Sequence, residues 1–268
     1  MASLGIVANV YNEVNALPGW LEMANSGLFD DIQIMHAGPQ GAESNDGTIE
    51  LLEKWRIPIH RTAIDQGFGI VRTAAVRASK CDFVMLLDAD ERFFRAVNEL
   101  HCQGEPQPRH EVDAVLNEYD RGIRFQDVPC NWENLSKLGE NLTVSVGGVY
   151  DQGAWLRSIL EEHTTIDAVC TIRRHWHDFS MRKPTQNWER IPDWQVRIVK
   201  NTPSIHWDAN TRMHENLIGA KNPFRPNLVH GPFFDHFHFG FKRMERDQRA
   251  HDVRIYDAIH KREAPPTS

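Results

Sequence analysis

The first ninety residues alternate between short apolar runs and amphipathic helical segments, and this restricts the fold more than any other feature of the 268-residue chain. Leu4 to Val10 (LGIVANV) predicts a strand. Val14 to Asn25 follows with Leu17, Trp20, Leu21 and Ala24 at helical spacing and Gly27 to close the helix. Ile32 to Met35, Ile57 to His60 and Phe83 to Leu87 predict three more strands, separated by helices over Thr48–Trp55 and Gly67–Ala78. Asn45 or Asp46 is placed to cap the helix that starts at Thr48. Strand and helix repeated in this way build βαβ units with right-handed crossovers. The run Phe83–Leu87 has no polar face, as expected for a central parallel strand with helices on both sides. The expected class is α/β, a Rossmann-like sandwich with a mostly parallel central sheet flanked by helices.

Beyond Gln103 the periodicity weakens. GEPQPRH reads as a loop and Glu111–Tyr119 as a helix. Strands are expected at Asp167–His175, Gln195–Lys200 and Ser204–Trp207, and a last helix over Gly240–Lys261. Ten of the fourteen histidines follow residue 150, and six of the eight tryptophans fall between Trp132 and Trp207. The two parts therefore differ in character: a scaffold first, then a surface suited to polar partners.

Composition removes several function classes. No apolar run approaches the roughly 20 residues that span a bilayer. The start, MASLGIVANVYNEV, has no basic segment followed by a small-residue cleavage site, so no secretory signal is expected. Cys81, Cys102, Cys130 and Cys170 form no CxxC pair and read as free thiols in a reducing compartment. The expectation is a cytoplasmic protein. A net charge of −7 argues against a protein built to grip nucleic-acid backbone.

The sharpest chemical signal closes the fourth strand: LLDADE, with Asp88, Asp90 and Glu91. Ligands bind at the carboxyl ends of strands in an open parallel sheet. Carboxylates separated by one residue there supply hard oxygens for Mg²⁺ or Mn²⁺, an ion that also bridges to substrate phosphates. The plain alternative is that one Asp caps a helix starting near Glu91.

These pieces resemble a family-2 glycosyltransferase of the GT-A fold. The resemblance lies in the opening strand followed by Asn12-Glu13, the SNDGT turn from Ser44 to Thr48, GFGIVR from Gly67 to Arg72, and FVMLLDADE. More loosely, QVRIVKN, MHENL (Met213 to Leu217) and HFHFG (His236 to Gly240) resemble the acceptor-side half of bacterial members. The resemblance implies one continuous GT-A domain, with residues 1–100 binding the nucleotide sugar and residues 101–268 the acceptor. It implies an inverting transfer from a nucleoside-diphosphate sugar, a UDP-sugar being the expected donor. The acceptor would be a hydroxyl on a glycan, protein, lipid-linked sugar or modified nucleobase. Ala8, Asn9, Tyr11, Asn12 and Glu13 would border base and ribose, with Asp46, Arg72, Asp88 and Ala89 completing the donor site. Asp88 and Asp90 would hold Mn²⁺ or Mg²⁺, with His236 or His238 completing the shell. Glu215, or else Asp208, would serve as the base. Arg72 as a solvent-facing helix residue, Glu215 as a surface carboxylate, and the histidines as ordinary polar residues are the plain alternatives.

The sequence departs from the family at two places. His36 stands where the second strand commonly ends in an Asp that reads the nucleobase, and the usual Arg-Asn pair on the third helix is Arg72-Thr73. Competing classes fit less well. A sugar nucleotidyltransferase needs a glycine-rich phosphate loop after the first strand, where this chain has ANVYNEV. A histidine-based metallohydrolase lacks an HExxH run, and Gly67-Phe-Gly69 lacks the third glycine of a dinucleotide fingerprint. A non-catalytic carbohydrate-binding relative predicts loss of the carboxylates, which are present.

Overall fold

The computed structural model describes residues 2–94, 96–103, 123–126, 143–176, 193–209, 216–224 and 233–237. The expected helices at Glu111–Tyr119 and Gly240–Lys261, and the residues Glu215 and His238, lie outside them. The chain divides into two compact units.

The first unit combines Met1–Asp90 with Arg197–Pro223. Its elements are β1 (Leu4–Val10), α1 (Leu17–Ala24), β2 (Asp31–Gly38), α2 (Thr48–Trp55), β3 (Ile59–Ala63), α3 (Phe68–Ala78) and β4 (Phe83–Leu86). β1 pairs in parallel with both β2 and β4, and β2 in parallel with β3. The order is thus β3-β2-β1-β4, an α/β sheet of Rossmann type. The second half of β10 (Asp193–Lys200) then joins β4 antiparallel, Ile198 opposite Met85. Leu4, Ile6, Val7, Ala8, Val84 and Met85 are fully buried, and α3 packs against all four parallel strands. At Gly5 a Cβ would lie 2.4 Å from Oγ of Ser79, the residue that follows α3, so that serine packs directly on the β1 backbone.

Helix α1 starts at Leu17 rather than Val14. The backbone amides of Asn12, Glu13 and Val14 donate instead to Ser44, Thr48 and Asp46. The cap of α2 also differs from expectation. Gly47, at φ 97°, occupies the N-cap, and Asp46 just before it accepts from the Thr48 amide at 3.0 Å. In the same unit β11 (His206–Trp207) and β12 (Leu217–Ile218) form a short antiparallel hairpin.

The second unit comprises Glu91–Val196 and Phe224–Gly240. No helix begins at Glu91. Glu91–Arg92 forms β5, which pairs antiparallel with β13 (Phe233–Phe237), and β13 runs parallel to β9 (Ala168–Trp176). The first half of β10 lies beside β9, where Thr171 Oγ1 donates to the Gln195 carbonyl at 2.9 Å. A separate antiparallel sheet sets β6 (Ala96–Gln103) between β7 (Ile123–Gln126) and β8 (Thr143–Asp151). Helix α4 (Gln152–Glu162) follows, capped by Asp151, whose carboxylate accepts from the Ala154 amide at 2.8 Å.

Candidate functional site

Because β1 to β4 are parallel, their carboxyl ends share one edge of the first unit. β2 and β3 lie on one side of β1 and β4 on the other, so the crevice above β1 and β4 is the topological switch point where such sheets bind ligands. Tyr11, Asn12 and Glu13 leave β1 there, and Asp88, Ala89 and Asp90 leave β4 there. Carrying the β1–β4 register two residues past Val7–Leu86 sets Asn9 level with Asp88.

Two contacts fix the path of the acidic loop. The Leu87 amide donates to the Val7 carbonyl at 3.1 Å, and the indole N–H of the fully buried Trp20 donates to the Leu87 carbonyl at 3.2 Å. Trp20 thus positions the backbone directly before Asp88. Asp90 is buried at 8% exposure, whereas the Asp88 side chain is 37% exposed. Arg197, a side chain only 5% exposed, brings its Nη1 to 3.9 Å from Asp88 Oδ2. Since Glu91 belongs to a strand, neither Asp caps a helix.

The SNDGT turn is bound to the end of β1. The Asn12 amide donates to Ser44 Oγ at 3.0 Å, and Asn12 Oδ1 accepts from the Asn45 amide at 3.0 Å. Asn12 holds φ 54°, a left-handed conformation that Asn tolerates better than most residues. The Asp46 carboxylate accepts from the Val14 amide at 3.1 Å, the Thr48 amide at 3.0 Å and the Thr48 hydroxyl at 2.6 Å. It holds this turn together. His36, 1% exposed, lies edge-on to Tyr11 at 5.8 Å between ring centroids, and its Nε2 accepts from the Ser44 amide at 3.2 Å. Burial lowers the His36 pKa; Glu43 and Asp46 oppose that shift and Arg61 adds to it. At Gly38 a Cβ would sit 1.9 Å from the Ala42 carbonyl oxygen and 2.8 Å from the Tyr11 ring, so only glycine fits behind the tyrosine.

The amino end of α3 lies on the same edge, with its unsatisfied amides and positive dipole end. Gly69 allows the Asp208 carbonyl to approach, since a Cβ there would lie 2.2 Å from that oxygen. Thr73 Oγ1 accepts from the Trp207 amide at 3.0 Å, which gives a structural use to the residue that departs from the family pair. Gly69, Arg72 and Thr73 share a helix face, so Arg72 is borne on the side of α3 that meets Trp207 and Asp208. The Asp208 amide in turn donates to the Asn216 carbonyl at 2.9 Å, closing the mouth of the β11–β12 hairpin. In the second unit, His236 stands opposite Glu91 on one side and His175 on the other.

The donor set bears on a divalent ion. Among the described residues, no three or more His, Cys, Asp or Glu side chains are grouped to hold a metal. What the first unit does supply is all oxygen. Asp88 and Asp90 are carboxylates, and Asn9 Oδ1, on the neighbouring strand β1, is a buried acceptor with no hydrogen-bond partner. Such a set suits Mg²⁺ or Mn²⁺ completing its shell with water and substrate oxygens, and it does not suit a closed zinc site.

Sequence reasoning assigned no site role to Arg197, to Trp20, which reads as an apolar helix position, or to Ser44 beyond its place in the SNDGT turn. Arg197 left one trace, a lone arginine inside the apolar run Val196–Val199.

No family model matches the chain. Among solved structures it is similar to S. aureus TarS 1–349 in complex with UDP. That match has a TM-score of 0.45 and 9% identity, and covers 97% of this chain and 70% of that one. It is also similar to S. aureus TarS, with a TM-score of 0.28 and 18% identity over 34% of this chain and 17% of that chain. A third similarity is to glucosyl-3-phosphoglycerate synthase from Mycobacterium tuberculosis in complex with Mn²⁺, UDP and glucosyl-3-phosphoglycerate. There the TM-score is 0.28 and identity 18%, over 34% of each chain. The chain thus spans 17% and 34% of the length of the last two proteins.

Proposed function

We propose that the chain is a metal-dependent, inverting glycosyltransferase that moves a sugar from a nucleoside-diphosphate sugar, with a UDP-sugar the expected donor, to a hydroxyl acceptor. The observation that carries this reading is the position of Asp88 and Asp90, directly after β4 at the switch point beside β1. Tyr11 offers a ring and Asn12 a fixed backbone for base and ribose, with Ala8, Asn9 and Glu13 around them. Arg72 and the α3 amino end supply positive charge for the diphosphate. A Mg²⁺ or Mn²⁺ held by Asp88 and Asp90 would neutralise charge on the departing diphosphate.

In the transfer, the acceptor oxygen bonds to the anomeric carbon while the bond to the diphosphate oxygen breaks and its electron pair leaves with the diphosphate. The acceptor proton passes to a carboxylate. Glu215 is the first candidate for that base and Asp208, at the mouth of the β11–β12 hairpin, the second.

Asp90→Ala is expected to abolish both sugar transfer and donor hydrolysis while leaving the circular-dichroism spectrum unchanged. A folded Asp90→Ala protein with full activity would overturn the assignment.

A further inference from the structure

The ion pair at Asp88 bears on when a metal can bind. Arg197 enters the edge from the antiparallel neighbour. One residue before the Ile198–Met85 pair, it stands level with Leu86, two residues short of Asp88. Its side chain is nearly sealed from water, while Asp88 retains 37% of its side-chain surface. A guanidinium in that position has lost its hydration and needs an anion nearby. Asp88 Oδ2, at 3.9 Å, supplies one. The same oxygen is a proposed metal ligand, so one carboxylate serves two cations.

We propose that Arg197 is the resident counter-cation of Asp88, and that it makes uptake of a divalent ion conditional on a diphosphate. The Arg197 guanidinium offsets part of the Asp88 charge, so an arriving divalent ion meets it in a low-dielectric setting. A diphosphate adds negative charge and offers Arg197 a further anion when Asp88 turns to the metal. Metal and diphosphate then raise each other's affinity by the same factor, as linkage demands. Arg197 acts here through Asp88 and is a positioning residue. The inference rests on the glycosyltransferase reading for the identity of the diphosphate, although its first measurement needs no sugar donor.

The test is calorimetric titration of the full chain with Mn²⁺, alone and with saturating UDP. Wild type is expected to bind Mn²⁺ at least about tenfold more tightly with UDP present. Arg197→Gln is expected to bind Mn²⁺ alone about tenfold more tightly than wild type and to gain less from UDP. Arg197→Lys, which keeps the charge, should stay close to wild type. In an Asp88→Asn background Arg197→Gln should gain nothing.

Unchanged or weaker binding of Mn²⁺ alone by folded Arg197→Gln overturns the proposal. So does equal affinity of wild type for Mn²⁺ with and without UDP, a comparison that needs no variant to fold. Two results separate this proposal from the reading beneath it. Coupled Mn²⁺ and UDP binding with the expected Arg197→Gln effect, but no turnover of any nucleotide sugar, removes the glycosyltransferase reading and keeps the role of Arg197. Sugar transfer with Mn²⁺ affinity indifferent to Arg197→Gln does the reverse.

Discussion

His36 holds the Ser44 turn against the end of β1 only while its ring is neutral. The Ser44 amide donates to Nε2, so that nitrogen must accept and the proton belongs on Nδ1. Protonation would set two donors face to face. Burial is the main cause of the lowered pKa, with Glu43 and Asp46 raising it and Arg61 lowering it. A group whose charged form is disfavoured in the fold takes up protons more readily when unfolded. Its stabilising contribution is therefore complete above the unfolded value of about 6.5 and is lost as pH falls through the lower folded value. Urea midpoints between pH 7.5 and 5 should fall for wild type and fall less for His36→Gln, which keeps an acceptor but does not titrate in this range. Equal slopes would remove His36 as the sensor. The same turn shows what a sequence conceals at this scale. Asp46 reads as a ligand in isolation, yet the groups its oxygens accept from include the Val14 amide, 32 positions away.

At the scale of elements, the junction of α3 with the β11–β12 hairpin is sharply constrained. Ala in place of Gly69 would favour the helix by about 1 kcal/mol on propensity alone. The clash decides against it, because the obstacle is the Asp208 main chain and not a flexible side chain. Gly69→Ala is expected to lower stability by about 1–3 kcal/mol in urea unfolding and to reduce transfer by displacing Asp208. A more stable Gly69→Ala protein would show that the hairpin yields freely. The elements α1 to α3 and β1 to β4 were legible because each carries its own periodicity: α2 occurs at Thr48–Trp55 as expected, β4 ends one residue short, at Leu86, and β3 starts two residues late, at Ile59. The start of α1 was not, since distant side chains claim its first amides. The strands β6, β7 and β8 were missed for a related reason. Ala96 pairs with Asp151, so those segments depend on partners far along the chain. Helix α4 did carry a readable signal, Asp151 ahead of Trp155, Leu156, Ile159 and Leu160.

For the molecule as a whole, the candidate edge exists because parallel strands bring segments dozens of residues apart to one line. A ligand that binds only the folded edge must stabilise it by mass action, about 2.7 kcal/mol at a hundredfold excess over Kd. UDP-sugar with Mn²⁺ is therefore expected to raise the thermal midpoint by several degrees, by roughly 2–4 °C for each kcal/mol in a chain near this size. The same donor with EDTA should give little shift, and an equal shift in EDTA would end the metal requirement. Among the described residues no helix is long and apolar enough to cross a membrane.

The sequence by itself determined the α/β class, the four-strand scaffold and the acidic pair that ends it, because strand and helix periods and an apolar run ending in DAD are local properties. Only the tertiary structure decided the strand order, the antiparallel entry of β10 and the pairing of Arg197 with Asp88. Those depend on which distant segments share backbone hydrogen bonds and which side chains they bring together.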